Sequence, residues 1–382
     1  MNKLKFTLYI FVSLTNIFLF AQNRCVVKVE GKYGYIDTLG HIVIPIIYDS
    51  GLQFSEGLAA VKCNEKWGYI DTNGIFVIQP IFQGTESFKE GCAIVWIKDD
   101  SISKSGVINK RGRWIIKPKY KIISHQNEGF VSVVENEKMA YFDLTKRKFI
   151  TKFIYDNDES WCFSEGLAMV KIGKFYGFIN RIGKIVIEPK YGQVGRMQFS
   201  NGLASVRDEK SGLWGYINRK GKKVIDFKYN EADEFKEKIA WVQNTHGSLR
   251  YAIDTLGNRL FELNVNYAWG FKNGLCGVTI DKKHGVIDSY GKWVVEPIYD
   301  WLHVFYSDGW IAFFNRIDDQ AKWGILNING KEILPAMYSN IVKNDGDCIL
   351  PEIYVGDCQN DVNNCKRGYA NLRGEIIWQP TD

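Results

Sequence analysis

Proline, histidine and long apolar runs are all scarce in this chain. Among its 382 residues there are 8 prolines and 5 histidines. So little proline does not fit a collagen-like chain. The histidines (His41, His125, His246, His284 and His303) are scattered, and no HExxH, GxSxG or P-loop sequence occurs, which removes the commonest metalloprotease, hydrolase and nucleotide-binding signatures. The 8 cysteines contain no CxxC pair, which argues against a cysteine zinc site, and they are too sparse to be the framework of the fold. A net charge of +6 is mild; it permits an acidic partner and demands none.

Glycine and aromatics, by contrast, are abundant: 36 Gly with 12 Trp, 20 Tyr and 23 Phe. That combination favours short strands joined by tight turns over long helices.

The N-terminus carries a basic head, Asn2-Lys3-Leu4-Lys5, then a mostly apolar run from Phe6 to Phe20, then Ala21. These are the parts of a secretory signal peptide, and the run is shorter than the roughly 20 residues of a membrane span. Residues 1–21 are therefore expected to be removed after Ala21. That leaves a secreted or periplasmic protein of residues 22–382, with no membrane span in the mature chain. Export also places the cysteines where disulfides form.

Beyond the leader the chain repeats itself. GYIDTLG at Gly34–Gly40 recurs as GYIDTNG at Gly68–Gly74, GFINRIG at Gly177–Gly183, GYINRKG at Gly215–Gly221 and GVIDSYG at Gly285–Gly291, with further, more degenerate copies. The Asp or Asn of the motif runs from Asp37 to Asn371 in nine steps, a mean period of about 37 residues. The Asx side chain suits a turn in which it accepts a backbone N–H two residues on, and the glycine three residues later supplies positive φ. Lys146 replaces that glycine in the fourth copy, where the turn must be rebuilt. The strand after the turn is expected to stop at a proline, as at Pro45, Pro80 and Pro189, because proline donates nothing to a ladder. A third signature, FSEGLAAV at Phe54–Val61, FSEGLAMV at Phe163–Val170 and FSNGLASV at Phe199–Val206, opens the next unit.

Lys66-Trp67-Gly68-Tyr69-Ile70-Asp71, Leu213-Trp214-Gly215-Tyr216-Ile217-Asn218 and Lys322-Trp323-Gly324-Ile325-Leu326-Asn327, with the EGLA segments between them, resemble the WG-repeat (WG containing repeat) bacterial protein family. The resemblance spans about Val26 to Pro380. The motif tryptophan is replaced by Tyr33, Ser105, Met139, Tyr176, Arg250, His284 and Arg367 in the other copies. The resemblance implies a bacterial β-repeat protein and sharpens the fold more than the function; no cofactor is expected.

The expected fold is all-β: a tandem array of about ten three-stranded antiparallel meanders in an open, solenoid-like superhelix. β-Propeller-like closure is the alternative. An aromatic beside the motif glycine reads as core, its ring covering a neighbour's Cα, in preference to a sugar-stacking platform.

For function, the lead is a non-catalytic binding or scaffolding surface at the bacterial envelope. The alternatives are a carbohydrate-active or other hydrolytic enzyme and a purely structural envelope component. No catalytic or metal residue is singled out. Charged turn tips form a candidate surface for acidic polymers: Lys110, Arg111, Arg113, Lys146, Arg147, Lys148, Arg181, Arg219, Lys220 and Lys222. An acidic polysaccharide or another envelope protein would be the partner. An irregular acidic loop at 344–366 contains Cys358 and Cys365, a candidate disulfide.

Overall fold

The computed structural model describes residues 23–99, 102–124, 127–157, 162–195, 199–245, 247–261, 263–305, 308–318, 320–343, 346–356 and 365–381. The proposed signal peptide lies outside them. The described residues form ten antiparallel sheets that follow one another in sequence and contain no helix. By contact density the chain divides into two units. One comprises residues 1–118, 321–324 and 333–382, and the other residues 119–320 and 325–332.

The repeating blade is seen in the second sheet. A two-residue strand, Ser50–Gly51, pairs with Leu58–Cys63, which pairs with Lys66–Asp71, which pairs with Phe76–Phe82. Three meander strands were expected, and the short first strand is the addition. It precedes the FSEG turn, and six of the ten sheets have four strands in this order, while three have three and one has five. A two-residue strand shows no alternation of polar and apolar residues, so nothing in its own composition marks it.

The motif's parts have separable jobs. Asp71 Oδ1 accepts from the backbone N–H of Asn73 and of Ile75, both at 2.9 Å, and Gly74 takes φ +82°. In the fourth copy, which has Lys146 in place of glycine, Arg147 takes the positive φ. The following strand is split there into Lys148–Phe149 and Tyr155–Asp156. Prolines do not end their strands. Phe76–Phe82 runs through Pro80, but a step of two residues from Trp67 to Tyr69 faces a step of four from Phe82 to Ile78. The proline sits in this bulge, where no ladder donor is required. Gly68 packs against the bulge: a Cβ there would lie 2.6 Å from Ile78 O and 2.7 Å from Pro80 N. The close approach expected of the motif glycine is therefore to the fourth strand of its own blade.

The tyrosine that follows the glycine is the core residue. Tyr35, Tyr69, Tyr216 and Tyr369 are fully buried. The hydroxyls of Tyr35, Tyr69 and Tyr216 donate to Leu52 O, Glu86 O and Asp233 O in the next blade, each at 2.8 Å. The rings stack edge-on or tilted against the Phe of that blade's FSEG turn, as in Tyr35–Phe54 and Tyr69–Phe88. Where the motif carries this tyrosine, as at Tyr35, Tyr69 and Tyr216, the blade is bolted to its successor by one buried hydroxyl and one aromatic pair.

The expectation of an open array is overturned by the chain ends, both of which belong to the first unit. Cys25 on the first strand is disulfide-bonded to Cys348, 323 residues away. Around it Tyr369 Oη lies 2.6 Å from Val26 O and 3.0 Å from Glu352 Oε1, while the Val26 N–H donates to Gln53 Oε1 at 3.1 Å. Gln53 Nε2 completes the cluster with bonds to Tyr369 Oη and Glu352 Oε1. An open solenoid keeps its first and last repeats apart. Here the tenth sheet bonds the first two, and the fold is a ten-bladed β-propeller. The physical reason lies in the interior of the 344–366 segment, expected to be an irregular acidic loop. It holds the strand Glu352–Val355, the second of its blade, and it presents Cys348 and the buried Glu352 to the first blades. Cys365 is disulfide-bonded; Cys358, its expected partner, lies outside the described residues.

Candidate functional site

Two surfaces need to be weighed, the charged turn tips expected from the sequence and a groove that only the structure reveals. The tips lie on the same side of each blade as the FSEG turns. In that turn Glu56 takes φ +54° and Gly57 φ +82°, and Glu90, Glu128, Glu165 and Glu237 adopt the same left-handed backbone. Such a φ costs a non-glycine residue about 1 kcal/mol or more. The repayment is a bond to the next blade. Glu56 Oε2 accepts from Gly91 N at 3.0 Å, Glu128 Oε2 from Gly166 N at 3.1 Å, Glu165 Oε2 from Gly202 N at 2.9 Å and Glu237 Oε2 from Gly274 N at 2.8 Å. The adjacent serine adds a second bond: Ser55, Ser164 and Ser200 Oγ donate to Phe88 O, Phe199 O and Phe235 O. In the closing blade Asp347 takes the glutamate's role, accepting from Gly57 N at 3.4 Å, and its own N–H donates to Phe54 O at 2.7 Å.

Three of the ten candidate cations belong to this or a local latch. Lys110 donates to Glu56 O at 2.9 Å and pairs with Glu56 Oε2 at 3.1 Å. Arg181 pairs with Glu128 at 2.7 Å, and Lys146 with Asp143 at 3.1 Å. Partial burial acts to raise the Glu56 carboxyl, but Lys110 and the Gly91 N–H outweigh it and hold it below the usual carboxylate range. Arg111, Arg113, Arg147, Lys148, Arg219, Lys220 and Lys222 are exposed. Arg111 and Arg113 fall in the first unit with Lys110, and the others in the second.

The groove lies in the second unit, along consecutive blades. One cavity of about 360 Å³ is bounded by Tyr176, Trp214, the short strand at Gln193–Val194 with Gly195, and Ala232–Glu234. A second, of about 390 Å³, shares Asp233 and Glu234 and continues past Arg250 to Tyr267, Trp269 and the buried Trp241. Tyr176, Trp214 and Arg250 occupy the same motif position in three successive blades. Their side chains are only partly buried. The aromatic at this position is therefore a partly buried wall residue that packs against the edge of the core, as Tyr176 and Trp214 do, while the fully buried place is taken by the residue two positions later, Phe178 or Tyr216.

Arg250, 14% exposed, is held by Asp233 at 2.7 Å and by Glu231, and it lies over the Tyr267 ring at 5.9 Å. Burial raises the Asp233 carboxyl above the usual range even with Arg250 beside it. Sequence reading missed Asp233, Glu234 and Trp269 because they follow or end short strands that it did not see. Among the described residues there is no group of three or more His, Cys, Asp or Glu arranged to hold a metal.

Repeated sheets of this build, with bonded first and last members, define a propeller assembled from tandem copies of one sequence motif. A family model described as the WG containing repeat matches residues 33–67, 67–97, 106–138, 141–174, 176–210, 214–245 and 285–315. The chain belongs to that family. No curated protein matches it in sequence. Among solved structures, a crystal structure of the eukaryotic initiation factor is similar over 92% of this chain and 93% of its own, at 12% identity and TM-score 0.53. Dipeptidyl peptidase 4 of Porphyromonas gingivalis aligns over 80% of this chain and 64% of its own, at 10% identity and TM-score 0.47. Hsv2p of Kluyveromyces lactis aligns over 62% and 94%, at 15% identity and TM-score 0.36. At these identities the first likeness speaks to the fold alone, and the other two carry no argument.

Proposed function

We propose that the protein is an exported, non-catalytic propeller that serves as a binding scaffold at the bacterial envelope. The observation that carries the binding role is the groove from Tyr176 to Trp269. There the motif position presents side chains to solvent, whereas the buried motif tyrosines and the FSEG turns spend their polar groups on joining blades. Export is supported by the leader sequence and by the Cys25–Cys348 bond, since such a structural disulfide persists in an oxidising compartment and rarely in the cytosol. Fractionation of the native cell with thiol trapping tests this. Mature protein outside the cytoplasm with Cys25 oxidised is expected; full-length protein in the cytoplasm with Cys25 as a thiol refutes export.

One observation favours the hydrolytic reading, namely that Asp233, with its raised pKa, lies beside Glu234 in a cleft. Against it, Arg250 already holds Asp233, and a glycosidase needs its two carboxyls on opposite sides of the scissile bond. Release of reducing ends from an oligosaccharide would establish hydrolysis. The exposed tip cations, Arg111 and Arg113 in the first unit and Arg147, Lys148, Arg219, Lys220 and Lys222 in the second, remain our proposal for an anion-facing surface within each unit.

A further inference from the structure

We infer that the groove takes a neutral oligosaccharide, which rests on the binding role proposed above and gives it a ligand class. Charge decides against an acidic polymer at this place. Glu231, Asp233 and Glu234 set three carboxylates against one guanidinium, and Arg250 is pinned by two of the three. An incoming phosphate, sulfate or uronate at this point would meet net negative charge and an arginine already engaged; the next cation, Lys171, lies over the Tyr176 ring at 5.3 Å, at the other end of the groove.

The walls suit a sugar. Tyr176 and Trp214 stand at one motif position on successive blades, and Trp269 comes directly after the short strand Tyr267–Ala268, two blades past Trp214's own. Aromatic faces receive the apolar face of a sugar ring, while planar carboxylate and amide groups such as Glu234 and Gln193 meet its hydroxyls. The ion pair fixes the orientation of Asp233, so its remaining lone pairs are presented without further loss of side-chain freedom. Trp241, 1% exposed, lines the second cavity with its indole, whose N–H faces the buried Cys276 thiol. The two cavities share Asp233 and Glu234, so the ligand spans at least two sugar units, with the carboxylates between them.

Titration of the mature protein with cellohexaose and with maltohexaose, followed by calorimetry and tryptophan fluorescence, tests the assignment. At least one hexasaccharide is expected to bind. Trp214→Ala should weaken it about tenfold, the value of one aromatic stack, and Trp214→Tyr should restore most of the loss. Trp67→Ala, at the same motif position outside the groove, should leave affinity unchanged. Glu234→Gln, which keeps size and shape, should weaken binding without changing the melting temperature. The assignment is overturned if neither sugar binds up to about 10 mM, or if Trp214→Ala and Trp67→Ala behave alike. It also fails if heparin displaces the hexasaccharide from the groove. Failure of both sugars, with binding to another envelope component retained and sensitive to Trp214→Ala, removes the sugar and leaves the scaffold role standing. Insensitivity of every ligand to Trp214→Ala removes both.

Discussion

Breaking the Cys25–Cys348 bond should unfasten the first blades from the last. The bond closes a loop of 323 residues. In the chain-entropy description the stabilisation grows with the logarithm of loop length, and this loop gives a ceiling of roughly 6 kcal/mol. Both cysteines are buried, in a cluster with Val27, Ile36, Leu350 and Tyr369, so removing the sulfurs also leaves a small void. The hydrogen bonds of Gln53, Glu352 and Tyr369 remain in the reduced protein and hold part of the closure, so the measured loss should be smaller, about 2–5 kcal/mol. The Cys25→Ala/Cys348→Ala variant isolates this bond from the one at Cys365. Guanidinium unfolding followed by tryptophan fluorescence gives the comparison, with the parent run both oxidised and reduced. The variant should unfold at a clearly lower midpoint, and any further loss on adding reductant reports the bond at Cys365. A variant within about 1 kcal/mol of the oxidised parent would refute the reasoning and show that the noncovalent cluster alone closes the propeller.

Other expectations follow from the same contacts. Tyr35→Phe should cost about 1–2 kcal/mol, since it orphans Leu52 O between two blades; Tyr33→Phe at the half-exposed motif position should be near neutral in the same unfolding assay. The Glu56 carboxyl is held below its ordinary 4.5. A lowered pKa contributes stability that is present above the unfolded value and lost as pH falls through the folded one. Stability should therefore decline below about pH 4.5, and Glu56→Gln should flatten that decline; an unchanged acid limb refutes the latch. Replacing Arg111, Arg113, Lys220 and Lys222 by Ser should weaken low-salt heparin binding roughly fivefold without changing the melting temperature, and unchanged affinity removes the anion-facing surface. Lys110→Ser, by contrast, should lower the melting temperature, because Lys110 ties two blades together.

The parts of the fold that were legible in sequence are those fixed by local chemistry. Asp71 reaches backbone only two and four residues away, so the turn is written in the motif and the residue after it and repeats with them. The expectation failed where structure depends on distant partners or on very short elements. Ser50–Gly51 is a strand only because Leu58–Cys63 lies beside it. Pro80 looked like a strand end because a bulge and a terminus both tolerate a residue without a donor. Glu56 and its equivalents recur with a following glycine, a signal that the turn is left-handed, but the receiving Gly91 is 35 residues on. Closure was hidden because Cys348 and Asp347 lie in the least regular segment of the chain, and Cys25 lies just past the proposed leader. The groove was half visible: Tyr176, Trp214 and Arg250 stood out as one motif position, whereas Asp233, Glu234 and Trp269 gain meaning only when short strands bring them to it.

Peptide mapping of the non-reduced mature protein, purified from the exporting cell, bears most directly on the closed fold. The account predicts a linked pair of peptides containing Cys25 and Cys348. Recovery of Cys25 as a thiol, or joined to any other cysteine, would contradict it.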